Sequence, residues 1–267
     1  MHMIRGNELP KDLYAFQDSI QATRVPTLHI SPSFQSTDVY CSKFIGKPYL
    51  PKSSHYPTDK NGEPMKLLAQ INFSEVPNFS LFPSQGILQF FVPYTNPFTF
   101  FNTFEDIWQR DFKVRFFKNP LPIEELVTDF SQFEHLENNS FPIQKESRLL
   151  FTPTTEPVSA LDYRFSNISK TPLNLLFNDE GQPLYDIYME HFLGSGHKMG
   201  GYPYFITQDP RHEYPFLKKY DVLLLQIDSD EENGIMWGNC GVANFFINRD
   251  DLLRGDFSDI LYHWDHY

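Results

Sequence analysis

Two stretches of the chain carry the same arrangement of apolar and polar positions. Residues 67–92 and residues 222–247 each begin with a short apolar run that contains one glutamine, and each later reaches a glycine placed shortly before a Phe-Phe pair. An apolar run of about four to eight residues between polar loops is typical of a strand buried on both faces. A glycine at the start of the second run predicts a β-bulge or a close backbone approach.

A constant offset relates the two stretches. Pro48 and Pro203 are 203 − 48 = 155 residues apart. The same offset relates Gly46 with Gly201, Tyr49 with Tyr204, Gly86 with Gly241, Phe90 with Phe245, and Phe91 with Phe246. Two later pairs match at 251 − 106 = 145, which predicts a longer loop after the first Phe-Phe pair, where prolines are also found. These pairs are Asp106-Ile107 with Asp251-Leu252, and Asp111-Phe112 with Asp256-Phe257. The period is too long for a solenoid, so it indicates one internal duplication.

The remaining segments predict short elements. Apolar residues at helical spacing indicate a helix over residues 9–22. Helix start or stop signals indicate others over residues 122–135, 184–193 and 249–253. Runs of strand-forming residues predict strands over residues 25–30, 111–118, 140–151 and 257–264. Residues 31–66 are rich in proline and turn signals, so we expect loops there.

These elements define the expected fold class. We predict a mainly β protein with peripheral helices (α+β), roll-like, built from two similar β-rich halves that a pseudo-twofold relates. Residues 1–267 would form one unit. Its first half would span residues 1–118, its connecting segment residues 119–182, and its second half residues 183–267.

The glutamine inside each apolar run is the least expected residue of the repeat. Gln70 and Gln226 differ by 226 − 70 = 156, so a single-residue length change separates them from the earlier pairs. A buried amide needs partners, at a cost of about 1–3 kcal/mol for each group left unpaired. Because both halves keep this residue, we interpret it as structural, and we expect the two amides to lie near the axis that relates the halves.

Composition and charge exclude several classes of protein. The chain has 27 Phe, an aromatic content of 16% and a formal net charge of −12, with no cluster of Lys and Arg. Nucleic acid is therefore not an expected partner, because phosphate binding needs a concentrated basic surface. No apolar run approaches the roughly 18 residues of a membrane span, and the first residues contain no signal-peptide core. Cys41 and Cys240 form no CxxC motif, so we expect free thiols and a cytoplasmic protein.

The glycine-rich stretch over residues 194–201 invites comparison with phosphate-binding loops. Its spacing fits neither the P-loop nor the dinucleotide fingerprint, so a hinge or tight turn is the preferred interpretation. His197 and Lys198 lie in this stretch, where we interpret them as unrepeated polar residues, and binding residues are often found on loops.

Metal-binding motifs are also weak. Asp228, Asp230 and Glu232 lie in an acidic stretch that resembles a calcium loop, but its glycine and its last ligand are out of register. We prefer a solvated acidic turn. No paired spacing supports a site at His212-Glu213 or at residues 263–266, so no metal and no cofactor are expected.

One corner of the second repeat differs chemically from the first. Trp237 and Asn239 stand where the first repeat has Phe82 and Ser84. The tryptophan would either line a small pocket or fill the core, and the sequence leaves both open. The complete set of candidate ligand-binding residues is His197, Lys198, Tyr202, Trp237, Asn239, Gln226 and Gln70. Cys240 is interpreted as a small core residue, and no catalytic residue is assigned.

The motifs named above resemble those of the YwqG-like family, a bacterial domain family of unknown function. The resemblance rests on residues 42–51, 68–72, 83–91, 197–204, 224–230 and 236–241. It implies a mainly β, roll-like structure with internal pseudo-symmetry, and no activity or cofactor. The chain departs from the usual family pattern at Lys47, where glycine is usual, at Tyr56, where tryptophan is common, and at Asn239, where aspartate is common. The last change removes a possible carboxylate.

Two functions remain open on this sequence. The preferred hypothesis is a non-enzymatic cytoplasmic module that binds a protein or peptide, because no acid, base and nucleophile align in a recognisable motif. The alternative is a small-ligand-binding protein or an enzyme with its site near His197, Lys198, Trp237 and Asn239.

Overall fold

A computed structural model describes residues 9–94, 111–133, 141–168 and 171–267. Several predicted features fall outside these ranges: the first residues, the loop after the first Phe-Phe pair, the Asp106-Ile107 pair, residues 134–135 of one predicted helix, and Ser140. The strands are β1 Val25–Ser33, β2 Lys43–Phe44, β3 Met65–Asn72, β4 Ile87–Pro93, β5 Lys113–Phe117, β6 Ser147–Glu156, β7 Lys198–Gly200, β8 Val222–Asp228, β9 Val242–Ile247 and β10 Ile260–Asp265. The α-helices are α1 Gln17–Ala22, α2 Leu184–His191, α3 Pro210–Glu213 and α4 Arg249–Arg254.

All ten strands join one antiparallel sheet. Its order is β10-β9-β8-β7-β1-β6-β2-β3-β4-β5, and the sheet curls into a nearly closed, barrel-like shape with few helices. Curling brings the two ends of the sheet face to face. Two ring contacts show this: Phe90 lies 4.9 Å from Phe245, and Phe116 lies 4.9 Å from Phe257. The protein is therefore mainly β, as predicted. Within the described residues, none of the helices has the length and apolar character that crossing a bilayer requires.

The connectivity is the same from either end of the sheet. β2-β3-β4-β5 runs outward from β6, and β7-β8-β9-β10 runs outward from β1. The registers also correspond: Gln70 lies opposite Gln89 in the first set, and Gln226 lies opposite Asn244 in the second. Each inner pair has one irregularity, between Leu67 and Ala69 and between Leu223 and Leu225.

Strands β3, β4, β8 and β9 are buried on both faces, as their continuous apolar runs predict. One face of each turns into the shared interior of the curled sheet. The other face is covered by loops and short helices. On β8 and β9, for example, Leu223 and Phe246 pack with Phe205, Leu217 and Tyr220.

Most of the predicted elements are present. The segment over residues 9–22 is helical, with a 3-10 turn at Lys11–Phe16 leading into α1. Helix α2 matches the prediction over residues 184–193, and α4 matches the one over residues 249–253, where Asn248 caps its N-terminus. The strand predicted over residues 140–151 begins later, at Ser147.

The helix predicted over residues 122–135 was wrong in its described part. Only two 3-10 turns form, at Ile123–Glu125 and Ser131–Phe133. The backbone between them is extended because Val127 N–H donates to Leu50 O at 2.8 Å and Lys52 N–H donates to Glu125 O at 2.8 Å. Pairing with the neighbouring loop therefore outweighs local helix signals, which are a weak prior.

The glycine before each Phe-Phe strand makes a close backbone approach, as predicted. A Cβ atom on Gly86 would lie 2.8 Å from Phe117 O, in β5. On Gly241 it would collide with Asp265 O, in β10. Each glycine therefore lets its strand lie against the outermost strand of its own set.

Candidate functional site

The two repeated glutamines hold loops rather than a ligand. Gln70 Oε1 accepts from Tyr49 N–H at 2.8 Å, and Gln70 Nε2 donates to Val39 O and Cys41 O, each at 2.9 Å. Gln226 Oε1 accepts from Tyr204 N–H at 2.7 Å in the corresponding way.

The glutamines do not meet, although we expected them near a common axis. Gln226 Nε2 donates to Gly194 O at 2.9 Å and to Gly196 O at 2.7 Å, so each amide bonds within its own part of the chain. Four strands lie between β3 and β8 in the sheet order. Both glutamines are fully buried, and their bonds satisfy the polar groups that burial would otherwise leave unpaired.

Lys198 forms a buried ion pair beside the glycine-rich stretch. It lies between His29 of β1 and Gln226 of β8, and its Nζ donates to Glu156 Oε1 at 2.7 Å. Tyr202 N–H donates to the same oxygen at 2.7 Å. Burial lowers the pKa of His29, and the nearby Lys198 charge lowers it further, against the opposing effect of Glu156. The pair fixes the turn at Gly200 and Gly201, both with positive φ.

His197 is held by a backbone hydrogen bond. Its Nδ1 accepts from Asp228 N–H at 3.0 Å. Nε2 lies 3.5 Å from Asp230 Oδ2. This contact, together with hydrogen bonds from Asn233, lowers the pKa of Asp230 to about 2.

The acidic stretch anchors backbone groups. Asp228 accepts from Gly196 N–H at 2.7 Å and Ser229 N–H at 2.9 Å, and burial raises its pKa. Asp230 caps the 3-10 turn Glu231–Asn233, and Glu232 is exposed. Across the described ranges, no group of three His, Cys, Asp or Glu residues could hold a metal ion. The glycine-rich stretch is thus fastened at Gly194 and Gly196 rather than forming a loose hinge.

The corner at Trp237 belongs to the core. Trp237 is fully buried in the main apolar cluster, and its ring lies 6.3 Å from that of Trp264. Asn239 and Cys240 are exposed on the following turn, so the prediction of a core position for Cys240 was wrong. Cys240 also has a positive φ, of 53°, which non-glycine residues seldom adopt.

The structure therefore brings together only part of the predicted set. His197, Lys198, Tyr202 and Gln226 form one cluster around the ends of β7 and β8. Trp237 N–H donates to the Ser229 hydroxyl at 3.0 Å, next to Asp228 in the sequence. Asn239 lies at the surface, and Gln70 belongs to the other set of strands.

A cavity of about 460 Å³ lies elsewhere, and the sequence did not indicate it. It opens between residues 160–168, residues 171–174, Tyr185 and residues 208–212, and we call it the connector cavity. Its walls are mostly apolar and include Leu161, Tyr163, Phe165, Ile168, Leu173 and Tyr185. One feature of the sequence could have indicated the cavity. Most of its wall comes from the connecting segment, and this segment has no repeated counterpart, so its residues are not required by the fold that the two repeats share.

Two arginines fix the floor of the connector cavity. Arg211 is fully buried and donates to Asp209 Oδ2 at 2.8 Å and Asp162 Oδ2 at 3.1 Å. Arg164 donates to both oxygens of Asp162, each at 2.7 Å. Burial alone would raise the pKa of Asp162, but hydrogen bonds from Arg164 and the charges of both arginines hold it below its usual value. The floor is therefore electrically balanced and rigid.

Within the described residues, the first set of strands shows no equivalent of this floor. The repeat offset, 211 − 155 = 56, makes Tyr56 the residue of the first repeat that corresponds to Arg211. Tyr56 contacts the Phe91 ring edge-on at 5.9 Å, whereas the Arg211 guanidinium lies 4.2 Å above the Phe246 ring. An aromatic contact in one set is thus replaced by a charged one in the other.

Several exposed apolar side chains belong to segments that also contribute to, or contact, the wall of the connector cavity. Leu175 and Phe177 follow wall residues in the sequence and are 63% and 60% exposed. Phe216 is 49% exposed and contacts Tyr214 at 6.1 Å. Lys218, from the same 3-10 turn as Phe216, lies 5.4 Å from the Tyr163 ring in the wall. Large apolar groups that form a contiguous surface patch commonly mark interaction sites.

Fold and site together define a mainly β protein whose curled antiparallel sheet carries an apolar cavity beside its second set of strands. Residues 42–266 match the family described as a domain of unknown function (DUF1963), so the chain belongs to that family. The match is compatible with the resemblance to the YwqG-like family. A search of curated proteins gave no match.

Proposed function

We propose that this domain is a non-enzymatic module that binds a protein or peptide, and that the connector cavity receives an apolar side chain of the partner. The observation that supports this most directly is an open, mainly apolar cavity accompanied by exposed Leu175 and Phe177. A volume of about 460 Å³ is large enough for the largest natural side chain.

The rigid floor favours binding. A pocket that is already formed does not lose free energy by ordering its side chains when the partner arrives. Here the Arg164 and Arg211 guanidinium groups occupy the carboxylates of Asp162 and Asp209, so these charges need no ligand. An apolar side chain seated above them would leave no buried charge unpaired. Such seated side chains carry most of the energy in many protein interfaces.

The alternative site at His197, Lys198, Trp237 and Asn239 has less support. Lys198 Nζ is bonded to Glu156, His197 Nδ1 to Asp228, and Trp237 is buried in the core. These groups already serve the protein, which leaves little chemistry for a small ligand or a substrate.

Selection from a peptide library displayed on phage tests the proposal. Recovered peptides should share a bulky apolar residue, and Ser166→Trp should weaken their binding at least about tenfold, because Ser166 is exposed at the cavity and an indole there would occupy the space. Ser53→Trp, on a distant exposed turn, is the matched control and should bind normally. Undiminished binding to a folded Ser166→Trp variant, or peptides with no apolar residue in common, would contradict the proposal.

We also propose that the two strand sets descend from one duplicated unit and are related by a pseudo-twofold. The support is the palindromic strand order, the two equivalent registers and the matching glutamine bonds. Two free cysteines, one of them exposed, fit our expectation of a cytoplasmic protein.

A further inference from the structure

The acidic groups near the connector cavity indicate which charge a bound peptide would need to carry. Asp186 follows the wall residue Tyr185, and it contributes, after burial, to raising the pKa of the Tyr185 hydroxyl. Glu213 accepts from Gln208, another wall residue, at 3.2 Å. Both carboxylates belong to exposed residues. One carboxylate is therefore next to a wall residue in the sequence, and the other is hydrogen-bonded to a wall side chain.

The positive charges nearby are mostly committed. Arg164 and Arg211 balance Asp162 and Asp209 on the floor, as described above. Asp221, which is close to Tyr163, has Arg249 at 3.7 Å. Among the residues that the structure describes, Lys218 remains against Asp186 and Glu213, so negative charge is in excess around this part of the cavity. The whole chain, at −12, adds a long-range field of the same sign.

We infer that the preferred partner of this cavity is a basic peptide, with lysine or arginine residues on both sides of a bulky apolar residue that enters the cavity. This inference rests on the proposed function and names the class of partner. The apolar residue would supply most of the affinity, while the flanking cations would select the partner and speed its association. An acidic peptide with the same apolar residue would meet like charges at the opening, which disfavours binding.

Three short blocked peptides test the inference by isothermal titration calorimetry. The first carries a central Leu-Trp pair flanked by lysines, the second the same pair flanked by glutamates, and the third the lysines with alanines in place of the pair. At low ionic strength the first should bind about tenfold more tightly than the second, and the difference should shrink as salt is added. The third should bind at least about tenfold more weakly than the first.

Two variants separate the contributions of charge and cavity. The double substitution Asp186→Asn with Glu213→Gln should weaken the lysine-flanked peptide about threefold to tenfold and should strengthen the glutamate-flanked one. Ser166→Trp should weaken every peptide that carries the apolar pair, while Ser53→Trp should leave each of them unchanged.

The outcomes distinguish the two proposals. Equal binding of the lysine- and glutamate-flanked peptides, lost in Ser166→Trp, would overturn the basic-partner inference and leave the peptide-binding function standing. Binding of the lysine-flanked peptide that survives Ser166→Trp would overturn the cavity as the site and both proposals with it. Absence of binding by all three peptides would also count against the inference, and the phage selection would then decide the function separately.

Discussion

Some residues of this protein occur in both repeats, and this repetition indicates their role to different degrees. Gln70 and Gln226 were recognised as structural from their repetition alone, and each does fasten a loop to a strand. His197 and Lys198 were candidates for binding because they looked unrepeated. Lys198 in fact has a counterpart, Lys43, at the same offset of 198 − 43 = 155, and both are buried. The sequence offset already contains this equivalence, and the strand register agrees with it, because Lys43 lies opposite Gln70 and Lys198 lies opposite Gln226.

The glutamine bonds predict matched losses of stability. Gln70→Leu should lower the free energy of unfolding by about 2–4 kcal/mol, because the Tyr49 N–H, Val39 O and Cys41 O would each lose a partner. Gln226→Leu should cost about as much. Urea unfolding measures both values. Gln85→Leu, at an exposed position, is the control and should change stability by less than about 0.5 kcal/mol. Strongly unequal losses at the two buried glutamines would argue against equivalent roles.

At the scale of elements, the strands were more predictable than the connections. A continuous apolar run bounded by turns identifies a strand that is buried on both faces, and β3, β4, β8 and β9 fit that description. The failed helix over residues 122–135 shows the limit of such signals. Its proline and glutamates are ordinary helix-start residues, yet backbone hydrogen bonds with residues 50–52 hold this segment in an extended conformation. Contacts between segments distant in the sequence decide such cases, and a single sequence does not contain them.

Close packing at the strand starts makes another prediction. Gly241→Ala should destabilise the fold by about 3 kcal/mol or more, because the new methyl group would meet the backbone oxygens of Asp265 and Trp237, which cannot move aside easily. Gly62→Ala is the control. Unlike Gly241, that glycine has a positive φ, of 84°, but open space surrounds it, so only the backbone conformation is penalised, by about 1 kcal/mol. Thermal unfolding of both variants measures the difference, and similar losses would show that strand approach is not limiting.

For the whole molecule, the sequence indicated a mainly β fold but not the cavity. The cavity depends on Arg211 reaching both Asp162 in the connecting segment and the Phe246 ring in β9. These residues are far apart in the sequence and follow no motif, so nothing in their spacing predicts that they meet. Arg211 thus ties the unrepeated segment to the repeated sheet.

Replacing that arginine should be costly. Arg211→Met should lower the free energy of unfolding by about 3–5 kcal/mol, because it leaves buried carboxylates without their partner. Arg254→Met is the control, since Arg254 is exposed and pairs with Asp251 at the surface, where the expected loss is below about 1 kcal/mol. Urea unfolding at neutral pH compares the two, and a small loss at Arg211 would contradict a supporting role for the network.

The same network sets a pH dependence. The folded-state pKa of Asp162 is depressed, so its stabilisation is present above the unfolded value of about 3.9 and is lost as the pH falls through the folded value. Without Arg211 the folded pKa should rise, so acid unfolding of the Arg211→Met variant should begin at a higher pH than in the parent protein. Identical acid transitions would show that Arg164 alone holds the charge.

The position of β1 in the sheet governs the order in which the fold can be completed during synthesis. This strand ends at Ser33, yet its neighbours are β6, which ends at Glu156, and β7, which ends at Gly200. The first of the described strands therefore connects a part of the sheet that is synthesised early with a part that is synthesised late. Until the ribosome has passed residue 200, one side of β1 has no strand to pair with, and the nascent chain must carry that open edge.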